Sequence, residues 1–413
     1  MVLHFLWDGK KPKISKFALQ NRIENGGLKL PNISCKIKSW QQSWIKRAAL
    51  NPKSNWVKIL DLFLGDITFT DLLYCNNAEE QISKLPSFYQ DILKTWHSIS
   101  EQENNQSNIL NSSIWYNENI TIESKPIFWK RWYKQGIKHV KDIINEDGSF
   151  ITIERLNNEY NIQCNFLELL QLRLALPLKW REELKGYSDK NTLYELGIKS
   201  EDNGIFKPLS KIRSNFIYWK ILEKGRTLKS PQAIHKWKEM NINFDEHQWK
   251  QIFELPSKIC RNVKLQSFQY RVLNRIITCN HWLYNVKIKD SPLCKCGSDD
   301  TMEHFFITCP DCSNFWNSLI RWCENTIEIH YTWDPTDIMF GIGGSDPNID
   351  ALNFIIILAK KYIHDQKLGG NTICFLGFLP LLKFQLEMEN LICIKQGKEN
   401  LFELKWSYIY DNL

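Results

Sequence analysis

Three cysteines and a histidine fall within sixteen residues: Cys294-Lys295-Cys296-Gly297, then His304, then Cys309, with Cys312 close behind. The pattern is C-x-C-G-x6-H-x4-C. Core usage of thiols rarely gathers so many in so short a stretch. Zinc takes four such soft or borderline donors in a tetrahedron, typically as two pairs delivered by a turn and a helix. Gly297 supplies a permissive backbone where the first pair wraps the metal. Asp299 or Asp300 can cap a short helix on which Met302, Phe305 and Phe306 pack while His304 faces the metal. Cys309-Pro310 then ends that helix and delivers the fourth sulfur. Cys312 is an alternative ligand in place of Cys309 or His304. Four protein ligands leave no position for water, so the chemistry is structural, not catalytic.

Other chemistry is missing. The chain has no Gly-rich phosphate loop and no G-x-S-x-G elbow. Its adjacent aspartates, Asp299-Asp300, sit inside the cysteine cluster without the strand-flanked aromatic context of a polymerase metal site. No enzymatic activity and no small-molecule substrate are expected from the chain alone.

The elements that must position the cluster read as helices. Over Lys264 to Ile277, Leu265, Phe268, Val272 and Ile276 form an apolar stripe, and Lys264, Arg271 and Arg275 project within about 20° of one line at 3.6 residues per turn. Such a ridge can lie along a phosphate backbone or be the wet edge of an amphipathic helix. Ile33 to Ala49 repeats Ile37, Trp40, Trp44, Ile45 and Ala48 at helical steps, with Lys46 and Arg47 between them. Ile127 to Lys138 interleaves Phe128, Trp129, Trp132 and Tyr133 with Lys130 and Arg131. Gly26-Gly27 and Asp147-Gly148 mark turns. Ser100 to Ser113, rich in Asn, Gln, Ser and Glu, reads as a mobile loop. No alternating strand ladder of useful length occurs. The expected fold is mainly α: a multi-helix array in two or three sub-domains with a small zinc knuckle and a few short strands. A soft boundary at Ser188 to Asn203 divides it into a basic segment 1–58, a helical middle 59–203 and a C-terminal helical part 204–413, with the zinc motif at about 264–325.

The 413 residues have the apolar content (43%) and charged content (24%) of a globular protein, but 17 Trp, 14 Tyr and 22 Phe exceed ordinary core needs. Flat rings also stack on single-stranded bases. The net charge of +7 is segregated: residues 1–58 hold twelve Lys/Arg against two acids, and 205–290 hold seventeen against six. Two basic blocks suit a polyanionic partner. The cations expected to meet phosphates are Lys10, Lys11, Lys13, Lys46, Arg47, Lys130, Arg131, Arg261, Lys264, Arg271 and Arg275. No apolar run approaches the roughly 20 residues that span a bilayer, and Met1-Val2-Leu3 before His4 is no signal peptide. Twelve cysteines, mostly scattered singly, fit reduced intracellular thiols, cytoplasmic or nuclear, and no membrane partner.

Several segments resemble one family. Phe5-Leu6-Trp7-Asp8-Gly9-Lys10, Gly26-Gly27-Leu28-Lys29-Leu30-Pro31, Trp44-Ile45-Lys46-Arg47 and Lys125-Pro126-Ile127-Phe128-Trp129 resemble the stretch that follows the polymerase domain in LINE-type non-LTR retrotransposon polyproteins. Phe268-Gln269-Tyr270-Arg271-Val272-Leu273-Asn274-Arg275, Asp290-Ser291-Pro292-Leu293-Cys294, Glu303-His304-Phe305-Phe306 and Phe315-Trp316 look like that family's reverse-transcriptase zinc-binding domain. Ile357 to Ile363 and Lys405-Trp406 look like its C-terminus. The resemblance implies a region that grips RNA template and target DNA while a separate palm copies RNA, with Cys294, Cys296, His304 and Cys309 as zinc ligands. It further implies that the palm and the endonuclease lie in the rest of the polyprotein, upstream of Met1. Two other readings stand beside it: a zinc-stabilised protein-interaction module from a domesticated or degenerate element, and a polymerase subunit active only with a palm supplied in trans.

Overall fold

The structure is a computed structural model and describes residues 13–100, 106–185, 196–199, 206–224, 231–327, 333–344, 346–410 and 412–413. The chain is mainly α. Among the described residues, strands form only two antiparallel pairs, Thr121–Ile122 with Lys125–Pro126 and Gly197–Lys199 with Phe206–Pro208. The chain divides into two compact units, one formed by Asn32–Leu228 and one by Met1–Pro31 with Lys229–Leu413. The divisions therefore fall near residues 31 and 228, not near 58 and 203. The physical reason lies in the Gly26-Gly27 turn. Gly26, at φ +69°, lies so close to Pro231 that an added Cβ would sit 2.8 Å from its ring, and its carbonyl accepts a hydrogen bond from the Tyr270 hydroxyl (3.3 Å). The first described residues thus belong to the C-terminal unit.

In the unit Asn32–Leu228, the helix read across 33–49 is two helices, α1 (Ile33–Gln41) and α2 (Ser43–Leu50). Gln42 between them is buried and donates from Nε2 to the Ile92 carbonyl (3.1 Å). The break leaves Ile37 and Trp40 exposed while Ile45 and Ala48 enter the core. The aromatic-basic interleave is mostly interior: Trp132 and Tyr133 are buried, and Phe128 packs edge-on against Trp115. The Asn- and Ser-rich stretch departs from its reading as a loop where it is described. Residues Gln106–Asn111 are helical, and Ile109, Leu110, Ser112 and Ser113 are buried. Composition misled there because Ser and Asn can satisfy buried backbone groups: Ser113 Oγ donates to the Trp115 carbonyl and Asn117 Nδ2 to the Ser113 carbonyl. The Asp147-Gly148 turn forms as read, with Gly148 at φ +77° donating to the Asn145 carbonyl.

In the C-terminal unit the helices lengthen: α3 (Glu246–Ile259), α4 (Val263–Leu273), α5 (Pro310–Ile327), α6 (Pro347–Gly369), α7 (Phe375–Lys395) and α8 (Glu399–Tyr410). Helix α3 begins on a capping box in which Asp245 and Gln248 each accept the other's backbone N–H. Helix α6 starts at the Asp346 cap with Pro347 in its first turn and stops at Gly370, left-handed at φ +71°. Between these caps almost every residue from Ala351 to Ile363 is buried, which makes α6 the spine of the core. Its apolar run, Phe354 to Ala359, is interior packing, and no helix among the described residues is long and apolar enough to cross a membrane. Each fully buried Ile or Leu there contributes on the order of 1.5–3 kcal/mol.

The tryptophan surplus has a use in both units. The buried indoles of Trp96, Trp115, Trp237 and Trp316 donate to the carbonyls of Leu73, Ile137, Leu273 and Phe306. The Leu73, Ile137 and Leu273 acceptors lie at or just past helix or turn ends, where carbonyls lack an intrahelical partner.

Candidate metal centre

Residues Pro292 to Asp300 make a small hairpin. Leu293 bridges Asp299, the Cys294 N–H donates to the Ser298 carbonyl (2.8 Å), and Gly297 N–H donates to the Cys294 carbonyl (3.0 Å). Gly297 sits at φ +85°, a conformation that L side chains rarely adopt. This turn brings Cys294 and Cys296 to the same side. Asp299 and Asp300 do not cap the next helix. Asp299 accepts from the His281 ring (2.9 Å), Asp300 Oδ2 accepts from the Asn280 N–H (2.9 Å), and the cap is Thr301, whose Oγ1 accepts from the His304 N–H (3.2 Å).

The second pair comes from a turn of unusual width. His304 and Cys309 are five residues apart, and in an α-helix they would point about 140° from one another. Instead His304–Thr308 is a π-turn, closed by the Cys309 N–H donating to the His304 carbonyl (3.1 Å). This i-to-i+5 bond returns His304 and Cys309 to one face. Widening the turn frees carbonyls, and α5 takes them up: Cys312 Sγ donates to the Phe305 carbonyl (3.3 Å) and Trp316 Nε1 to that of Phe306 (2.7 Å). Met302, Phe305 and Phe306 are buried beneath the turn as their spacing predicted.

The donor atoms of Cys294, Cys296, His304 and Cys309 all lie within 4.8 Å of one another. Cys294 Sγ is 4.0 Å from Cys309 Sγ, and Cys296 Sγ is 3.1 Å from His304 Nε2. A tetrahedron with metal–sulfur and metal–nitrogen bonds of about 2.3 and 2.05 Å has edges of roughly 3.6–3.8 Å. The four atoms bracket that spacing, so the group can hold a metal ion. Thr308 Oγ1 lies 3.3 Å from His304 Nδ1, on the ring edge away from the cluster, which leaves Nε2 as the ligand atom. Cys312 does not join them. It is fully buried, its thiol is turned to the Phe305 carbonyl, and burial pushes its pKa up to about 12. Burial likewise raises the Cys294 thiol, whereas a backbone hydrogen bond from Ser298 lowers Cys296, and desolvation, aided by Lys367, lowers His304. A low imidazole pKa keeps the ring in the neutral form that binds metal.

The cations expected to meet phosphate are placed unevenly. Lys10 and Lys11 lie outside the described residues, as does the Phe5-to-Lys10 motif. Lys13 is exposed, its ammonium 4.7 Å over the Trp282 ring. Lys46 donates to the Ile212 carbonyl, Lys130 pairs with Asp66, Arg131 with Glu168 and Arg261 with Glu389. The ridge on α4 is shorter than its periodicity implied. The helix stops at Leu273, Arg275 is left-handed at φ +52°, and its guanidinium pairs with Glu303 while lying 4.5 Å over Trp237. Arg275 therefore fastens the end of α4 to the residue before His304. Lys264 is exposed, Arg47 lies over Trp44, and Arg271 is half-buried beside Phe268; these three make no ion pair among the described residues.

Sequence reading missed Thr301, Thr308 and Lys367. Thr301 and Thr308 stand three residues before and four after His304, a local signal in principle. Lys367, about sixty residues downstream, has none. No family profile matches the chain, and no curated protein matches it significantly.

Proposed function

We propose that the chain is a non-catalytic, nucleic-acid-binding segment of a retroelement reverse transcriptase, stabilised by a structural zinc ion on Cys294, Cys296, His304 and Cys309. The observation that carries this reading is the convergence of those four donors, directly downstream of the basic helix α4. Four donors close the coordination shell, so the ion holds the hairpin to the π-turn and activates no water. Three thiolates favour zinc over hard cations such as magnesium or calcium. The basic blocks at 1–58 and 205–290, with Lys264, Arg47 and Arg271 free of ion pairs among the described residues, supply contacts for phosphates.

The test is an electrophoretic shift titration of the full chain with single-stranded and hairpin RNA at rising salt. Binding should weaken steeply, because neutralised phosphates release counterions, and Lys264→Ala should lower the log–log salt slope by about 1. No binding at low salt removes the nucleic-acid role. Salt-insensitive capture of a protein by a chain that ignores RNA establishes the interaction-module reading instead. Primer extension by the chain alone should be nil.

A further inference from the structure

Helix α6 buries two lysine ammonium groups: that of Lys360 donates to the Met339 carbonyl (3.0 Å), and that of Lys367 has no such acceptor. Lys367, in the last turn of α6, has its Nζ fully buried and, among the described residues, no oxygen or nitrogen acceptor within hydrogen-bond distance. That ammonium lies 4.7 Å over the Phe305 ring, whose residue follows His304 in the π-turn. The groups that act on it electrostatically are Cys312, Cys309, Cys294 and Asp300. Asp300 makes no ion pair with it, and one Asp300 oxygen is engaged by the Asn280 N–H. Lys295 is oriented differently: its Nζ donates to the Gly370 carbonyl (3.0 Å), capping the C-terminus of α6.

We infer that Lys367 is the built-in counter-cation of the Cys294–Cys296–His304–Cys309 centre and sets how tightly a divalent metal is held there. The inference rests on the metal reading given above. A divalent ion with three thiolates and a neutral imidazole carries a net charge of −1. An ammonium beside it makes the assembly neutral, and a buried cation is tolerated only opposite such an anion. The requirement is mutual. Lys367 favours the loaded three-thiolate state, and that state supplies the partner which the lysine otherwise lacks. It is a positioning residue that acts through the sulfurs and does not touch the ion.

The experiment uses the full chain with Lys367→Met and Lys367→Arg, titrated with cobalt(II) alone and then competed with zinc and a chromophoric chelator. Lys367→Met should weaken zinc about 10- to 100-fold, the usual cost of losing an outer partner. Its sulfur-to-cobalt charge-transfer band should move to longer wavelength, since thiolates without a counter-cation are more easily oxidised. Lys367→Arg should restore both, and circular dichroism should show the helices intact in each variant. Wild-type affinity and an unmoved band in Lys367→Met overturn the inference while leaving the metal site standing. Equal weakening in both variants also overturns it, because packing and not charge is then at work. A wild-type chain that takes up neither metal removes the metal reading itself, and this inference with it.

Discussion

Two polar clusters in this molecule are built on opposite terms. In the unit Asn32–Leu228, Asp71 Oδ2 accepts from the Thr68 hydroxyl (2.7 Å), the Lys138 ammonium (2.7 Å) and the Tyr133 hydroxyl, and Tyr133 in turn accepts from the Thr68 N–H (3.0 Å). Three donors converge there on one carboxylate oxygen, and the Tyr133 hydroxyl both donates and accepts. In the C-terminal unit, Cys294, Cys296, His304 and Cys309 aim four metal-binding atoms at one point, and around them the hairpin residues Lys295 to Asp299 are exposed. The first cluster is complete as protein. The second brings three thiols and an imidazole nitrogen together, donors weak enough to be exchanged for a cation at their centre. A self-satisfied network needs only packing to persist, while a convergent set of lone pairs needs an ion.

The largest test of this contrast is metal removal. Cys296→Ser, or a strong chelator, should abolish stoichiometric zinc measured by plasma emission. The loss should speed amide exchange across 292–309, because a structural zinc contributes on the order of 10 kcal/mol to local folding. Exchange around Asp71 should not change; if it does, the two clusters are not independent. Next in size is Asp71→Ala, which strands the Tyr133 hydroxyl and the Lys138 ammonium. It should cost about 2–3 kcal/mol in urea unfolding, with zinc content unchanged. The smallest effect is acid. His97 is partly buried, its Nε2 2.9 Å from the Leu72 carbonyl oxygen, and desolvation holds its pKa below the ordinary value of about 6.5. Below that value the unfolded chain binds a proton that the native chain refuses. Stability present above about pH 6.5 is therefore lost as pH falls toward the native pKa, by at most about 1.4 kcal/mol per pH unit. His139, also lowered by burial, adds a slope of the same sign. His97→Gln should flatten part of the profile in melting curves between pH 7.5 and 5.5, with or without chelator; an unchanged slope would show that His97 does not report on this core.

Much of the centre could be read without coordinates. Thiol and imidazole spacing within sixteen residues selected the same four potential donors that the fold brings together, and Met302, Phe305 and Phe306 were placed inward by the same short-range pattern. Less legible was the manner of delivery. A five-residue step from His304 to Cys309 does not fit one face of an α-helix, and the π-turn that reconciles them depends on Trp316 and Cys312 accepting its displaced geometry. Cationic residues were the least legible. Arg275 continued a basic line by helical arithmetic, yet Asn274 and the Trp237 indole end the helix before it, and Glu303 takes its charge.

By itself, then, the order of residues determined the helical class, the turns at Gly26-Gly27 and Asp147-Gly148, and the donor types of the candidate metal centre. Each of these follows from interactions within a few residues, where periodicity, φ preference and donor chemistry suffice. Tertiary structure alone decided that the first described residues join the C-terminal unit, that Cys312 turns its thiol to the Phe305 carbonyl and away from the four donors, and that the Lys367 ammonium is buried over the Phe305 ring. Those outcomes depend on which distant groups fill a carbonyl, a cavity or a charge, and local spacing carries no record of such partners.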